Sequence, residues 1–235
     1  MKSIAIMQPT FLPWLGYFAL IDSVDEFVFF DHVQFEKRSW QQRNKIKTAN
    51  GPIWLSVPVS TKGKQFQTIQ DTEILYEGDK NPLDKITKSI ELNYQKAPFY
   101  QDYADDIFSA FAAKPQYISE LNQTIIKYIC HEIGIQTPFI NSSSLDVSGK
   151  KDILLVDICQ AREATHYISP PGSKVYLDES DAFEGNNIHL SYHEYIHPEY
   201  AQLHDGFEPY MCILDLLFNE GPESKHIIQR GAPKP

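Results

Sequence analysis

The chain has 235 residues, a formal charge of -10 and an aromatic share of 13%. That length suits one large domain with a proper core, and the charge excludes a protein built chiefly to grip nucleic acid, which needs cationic surface to neutralise phosphates. The three cysteines, Cys130, Cys159 and Cys212, are far apart and without CxxC spacing, so neither a disulfide framework nor a zinc cluster is expected and a reducing cytoplasm is the natural location. The N-terminus runs directly into a strand pattern with no secretory leader, and no apolar run approaches the roughly 20 residues that span a bilayer.

Ser3 to Met7 is apolar and uncharged, which predicts a strand buried on both faces. Leu15, Phe18, Ala19 and Asp22 then recur at helical spacing, with Pro13 suited to a helix start, predicting a helix over Trp14 to Asp22. Glu26 to Phe30 reads as a second strand. Strand, helix and strand in so short a stretch form a βαβ unit with a parallel pair. The segment Glu36 to Lys47 gathers Lys37, Arg38, Arg43, Lys45 and Lys47 against one acid, and reads either as a solvated charged face or as an anion site.

Farther on, Ile53 to Val59 predicts a strand entered through Asn50-Gly51-Pro52, and Thr68 to Leu75 a weakly alternating partner. Residues 81–134 carry three amphipathic helical patterns. A strand and a Ser-rich loop follow at Thr137 to Leu145, and a helix over Lys150 to Ala164. A strand-to-loop passage runs through Thr165 to Leu177, with a short strand over Asn186 to Tyr195 and a final apolar helix over Cys212 to Gly221. The expected fold class is α/β: a parallel sheet with flanking helices over one domain, 1–235, with 81–134 as a helical subdomain.

Ligands of open α/β sheets bind beyond the carboxyl ends of the strands, so the loops after the first two strands hold the candidates. Two prolines stiffen the first loop and leave Gln8, Thr10, Phe11, Trp14 and Tyr17 to line a pocket; packing against the following helix is the alternative for Phe11 and Trp14. Asp31 ends the second strand, where it serves as a base, an orienting carboxylate or a turn former. Arg38 and Arg43 offer a bidentate clamp for phosphate, and Gly172-Ser173-Lys174 a weaker phosphate turn. Of the histidines near the C-terminus, His197 is preferred as a catalytic imidazole because Pro198 fixes the backbone beside it and Gln202 is close; the same proline argues against a helical metal-binding face through His193.

The stretches MQPTFLPWLGYFALIDSVDEFVFFDHVQFEKRSWQQRNKIK, WLSVPV, HPEYAQ and DLLFNEG resemble, in this order, the WbqC family. The resemblance places the family pattern on Gln8, Trp14, Gly16, Tyr17, Asp31, Gln34, Trp40, Arg43 and Asn44, then on His197, Gln202 and Asp215. It implies a role in bacterial surface polysaccharide, lipopolysaccharide and O-antigen biosynthesis, installing an acyl or aminoacyl group on an amino sugar. The implied donor is a coenzyme A or acyl-carrier-protein thioester and the implied acceptor a sugar nucleotide. No tightly bound cofactor, metal or nucleic acid is expected.

In that reading His197 or Asp31 is the base, Gln8 and Asn44 orient the carbonyl, and Arg38 and Arg43 hold the diphosphate. Trp14, Tyr17 and Trp40 stack on the sugar or base. The opening βαβ also resembles the nucleotidyltransferase superfamily, whose His-x-Gly-His is represented here by Trp14-Leu15-Gly16-Tyr17. An ATP-dependent ligase is therefore the first alternative, weakened by both missing histidines, and a non-catalytic sugar-nucleotide binder is the second.

Overall fold

The computed structural model describes residues 1–232. Strand β1 (Ser3–Met7) leads through α1 (Leu15–Asp22) to β2 (Glu26–Phe29), and a hairpin of β3 (Arg43–Thr48) and β4 (Gly51–Ser56) follows. Three helices come next, α2 (Leu83–Tyr94), α3 (Tyr100–Ala112) and α4 (Ile118–Glu132). The chain then runs through β5 (Phe139–Asn141), α5 (Asp152–Ala161), β6 (His166–Ser169), α6 (Lys174–Leu177), α7 (Ala182–Gly185), β7 (His189–Tyr192), α8 (Ile213–Glu220) and α9 (Ser224–Arg230).

Five strands form one parallel sheet in the order β5-β2-β1-β6-β7. Alternation along each strand sends neighbouring side chains to opposite faces. Ala5, Phe27 and Phe29 join the core built with α1 to α4, α8 and α9. Ile4, Ile6 and Val28 join a second core with α5 and the short α6 and α7. The chain moves outward from β1 to β2 and β5 with its helices on the first face, then returns to β6 and β7 with its helices on the second. Right-handed crossovers produce this doubly wound arrangement, and its reversal falls between β1 and β6. Helices α2 to α4 share the first core with Phe11, Phe18 and Phe218.

Two sequence expectations are corrected. The cationic run contains a strand: Arg43–Thr48 pairs antiparallel with Gly51–Ser56, with Asn44 and Ile46 turned inward. The alternation is present but obscured by charge, because the inward set includes an amide. Thr68 to Leu75 forms no strand. It makes single bridges at Gln34–Thr68, Val59–Ile74 and Glu73–Tyr117, serving as a strap between the β2 loop and the helical layer.

Candidate functional site

Where a doubly wound sheet reverses, the loops leaving adjacent strand ends diverge to opposite faces and open a crevice. A crevice of about 470 Å³ lies at that point here, between Met7 and Gln8 of the β1 end, Glu36 and Trp40 of the loop after β2, and Pro170 and Ser173 after β6. A second cavity of about 240 Å³ adjoins it, walled by Pro13, Trp14, Tyr17 and Tyr210. Met7, Thr10 and Trp40 line both.

The loop from Gln8 to Trp14 has no regular structure, yet most of its carbonyls are satisfied, as buried backbone requires. Tyr17 Oη donates to the Gln8 carbonyl at 3.0 Å, Asn122 Nδ2 to Pro9 at 3.0 Å, and Asn44 Nδ2 to Phe11 at 3.3 Å and Leu12 at 2.7 Å. The Ile213 N–H takes the Pro13 carbonyl and the Tyr17 N–H that of Trp14. Asn44 thereby holds Leu12 at φ 46, a left-handed conformation that is costly for leucine.

One hydrogen-bond chain decides how Gln8 faces the crevice. The Glu36 backbone N–H can only donate, and it reaches Gln41 Oε1 at 3.0 Å. Gln41 Nε2 is then a donor by necessity and meets Gln8 Oε1 at 2.9 Å. The Gln8 amide nitrogen is left with both hydrogens uncommitted among the described residues, beside the crevice.

Trp14 is held on several sides. Tyr195 and Tyr210 meet it edge-on, each at 5.4 Å, and His197 stacks on it at 6.1 Å. A Cβ on Gly16 would lie 2.4 Å from the indole carbons, so the ring's position requires glycine there. His197 donates from Nδ1 to the Pro198 carbonyl at 2.9 Å, so the neutral ring carries its proton on Nδ1 and leaves Nε2 bare. That Nε2 is buried without a partner among the described residues, and burial lowers the ring's pKa. His197 packs against the Trp14 wall and lines neither cavity.

The WbqC-like protein family model matches residues 8–227. The chain belongs to that family. It is also 38% identical over 227 residues to a Mycobacterium tuberculosis protein, Uncharacterized protein Rv1507c, covering 95% of this chain and 96% of that one. No solved structure matches it.

Within this WbqC-like chain several expected site residues do other work. Phe11 is fully buried beside Phe111 and lines neither cavity, because its loop turns it toward α3. The buried Asp31 carboxylate accepts from Asn141 Nδ2 at 2.7 Å, Ser142 Oγ at 3.0 Å, and the Ser143 N–H and Oγ, each at 2.9 Å. It thus ties the β2 end to the β5 turn, with both of its oxygens engaged by these four donors. Asn44 touches the small cavity, but both of its amide hydrogens are spent on loop carbonyls, so it offers no donor to an oxyanion.

Gln34 is exposed and donates to the Gln65 carbonyl. The clamp does not assemble. Arg43 lies over the Trp54 ring at 4.2 Å, on the hairpin's outer face, and Arg38 sits on an exposed turn at φ 60. Neither lines the crevice. Ser173 Oγ donates to the Pro170 carbonyl at 2.7 Å, and Lys174 reaches over Tyr192, so that turn is closed on itself rather than forming a phosphate cradle. Tyr17, Thr10, Trp14 and Trp40 do border the cavities.

Sequence reasoning missed the network that holds the aromatic wall. Asp215, on α8 and fully buried, accepts from Tyr94 Oη and Tyr200 Oη, each at 2.8 Å, and from Gln202 Nε2 at 2.6 Å. Gln202 also spans Glu208, donating to its carbonyl and accepting its N–H, and is therefore a loop brace rather than a substrate contact. Lys47 donates Nζ to the His204 carbonyl at 2.6 Å and to that of Gly206. Asp215 stood in the family pattern, but its partners lie too far along the chain for spacing to reveal them. Glu36, the one acidic residue of the crevice lining, was overlooked as the lone acid of a basic run.

Proposed function

We propose that the crevice is the site of acyl or aminoacyl transfer to the amino group of an amino sugar from a thioester of coenzyme A or an acyl carrier protein. The observation that carries this reading is the Gln8 amide, locked by Gln41 with two free hydrogens at the strand-end crevice. Preorganised donors of that kind stabilise charge developing on a carbonyl oxygen.

In the proposed reaction the sugar amine attacks the thioester carbonyl carbon, and the oxyanion is received by Gln8 Nε2. Collapse breaks the C–S bond and forms the amide. The proton lost from nitrogen passes to Glu36 and on to the departing thiolate. Glu36 replaces Asp31 in this role because the residue lines the crevice and its carboxylate makes no hydrogen bond among the described residues. The lining carries no lysine or arginine, which favours an amino sugar over a diphosphate as the group held inside. A nucleotide on the acceptor would extend beyond the rim. The family resemblance supports a place in bacterial surface polysaccharide biosynthesis.

An ATP-dependent ligase is less favoured, since the Trp14 indole covers the Gly16 backbone and withholds it from phosphate. The test incubates the protein with acyl thioesters and with either free or nucleotide-linked amino sugars, reading products by mass spectrometry. An N-acylated sugar with release of free thiol is expected. Absence of amide with acceptors that demonstrably bind, or pyrophosphate release on adding ATP, would overturn the reading.

A further inference from the structure

We propose that the smaller cavity is the specificity pocket for the transferred acyl group, and that it selects an uncharged, largely apolar group of roughly six to ten non-hydrogen atoms. This rests on the transfer reading for the identity of the group, while the pocket's size and polarity stand on geometry alone.

Polar accounting weighs against a sugar in this pocket. Tyr17 Oη is committed to the Gln8 carbonyl and the Asn44 amide to Phe11, Leu12 and the Lys45 N–H. Met7, Pro13 and Trp14 contribute almost only carbon. The Thr10 and Tyr210 hydroxyls and the Trp14 and Trp40 indole N–H groups have no hydrogen-bond partner among the described residues, and the lining carries no charged side chain. A sugar ring brings several O–H donors, whereas the indole N–H groups cannot accept and few lining oxygens can, so O–H groups would be buried unpaired at a cost of about 1–3 kcal/mol each. A phosphate or carboxylate would find no cation. An acyl chain or small ring needs none of these and uses Thr10 for at most one hydrogen bond.

Size follows from the walls. An apolar cavity of about 150 Å³ accommodates benzene, so about 240 Å³ accommodates that ring with a few further atoms. The far wall is stiff, because Trp14 is fixed by Tyr195, His197, Tyr210 and the missing Cβ of Gly16. The other end is continuous with the reaction crevice through Met7, Thr10 and Trp40. An acyl group seated here leaves its carbonyl at the junction that Gln8 approaches.

Primary carboxamides probe the pocket without a leaving group. Titrating acetamide, butanamide, hexanamide, benzamide, decanamide and succinamate, with indole fluorescence and calorimetry as readouts, is expected to give affinity rising at least tenfold from acetamide to benzamide. Decanamide and the charged succinamate should bind worse than benzamide. Thr10→Val should weaken benzamide about tenfold, and Trp40→Ala, which replaces a half-exposed side chain at the mouth, should let decanamide in.

Uniform or undetectable binding across the series, or displacement of benzamide by glucosamine, would overturn the pocket. Size-selective amide binding without any transfer product would leave the pocket and remove the transferase reading. Transfer of acyl groups regardless of size and charge would do the reverse.

Discussion

At Gln8 the amide presents its nitrogen to the crevice only while Gln41 receives the Glu36 N–H. Gln8→Ala is accordingly expected to lower kcat for amide formation by about 10²–10³-fold with a smaller change in KM. Gln41→Glu keeps an acceptor for the Glu36 N–H but loses the donor to Gln8. It should therefore lower kcat with little change in KM, as a positioning residue would, at some cost in stability because Gln41 is buried. Equal kcat in all three proteins, measured at saturating thioester, would remove Gln8 from the chemistry. The candidate list from sequence included Gln8 because a polar amide leaving a strand end needs partners, and that argument gave its place but not which end of the amide faces out. Gln41 supplies that decision from 33 residues away.

At the scale of elements, α8 and the segment from Tyr195 to Tyr210 form one unit through Asp215. Burial raises the Asp215 carboxyl above its ordinary range, against the donors from Tyr94, Tyr200 and Gln202 that hold it down. Asp215→Asn replaces an acceptor oxygen by an amide nitrogen and leaves a buried donor unpaired. The expected cost is about 1.5–3 kcal/mol, read as a shift in the urea midpoint without change in slope. Loss of the Trp14 near-ultraviolet signal should accompany it, because the aromatic wall is anchored here.

The βαβ start was legible because periods of 2 and 3.6 are local properties: the strand expected over Ser3 to Met7 is observed over those residues, and the expected helix begins one residue later. Strand β3 was not legible, since its buried Asn44 and Lys47, on opposite faces, look polar until their loop partners are known.

Over the whole molecule, burial lowers the pKa of four histidines, His32, His166, His193 and His197, and the last two, which flank the aromatic wall, contribute to the loss of stability in acid. His193 and His197 both have lowered pKa values, first from burial, and each has an unpartnered Nε2. Below the ordinary value of 6.5 the unfolded chain takes up protons at these sites that the folded chain resists. Stability therefore falls as pH drops through 6.5 toward the lowered values, and above 6.5 both rings are neutral and contribute no pH dependence. Thermal midpoints from pH 7.5 to 5.0 should decline more steeply for the natural chain than for the double variant His193→Asn, His197→Asn. Parallel declines would place the two rings in solvent.

No described helix is long and apolar enough to cross a membrane, and the surface charge of -10 keeps nucleic acid outside the proposal. The sequence by itself determined the α/β class and the family, because these rest on local periodicity and contiguous motifs. Only the tertiary structure decided that Asp31, Asn44 and Gln202 are braces, that Arg43 faces Trp54 on the hairpin's outer surface, and that Thr10 and Gln8 keep free polar groups. A side chain's availability depends on which distant partners have already taken its hydrogen bonds, and those partners are brought together only by the folded chain.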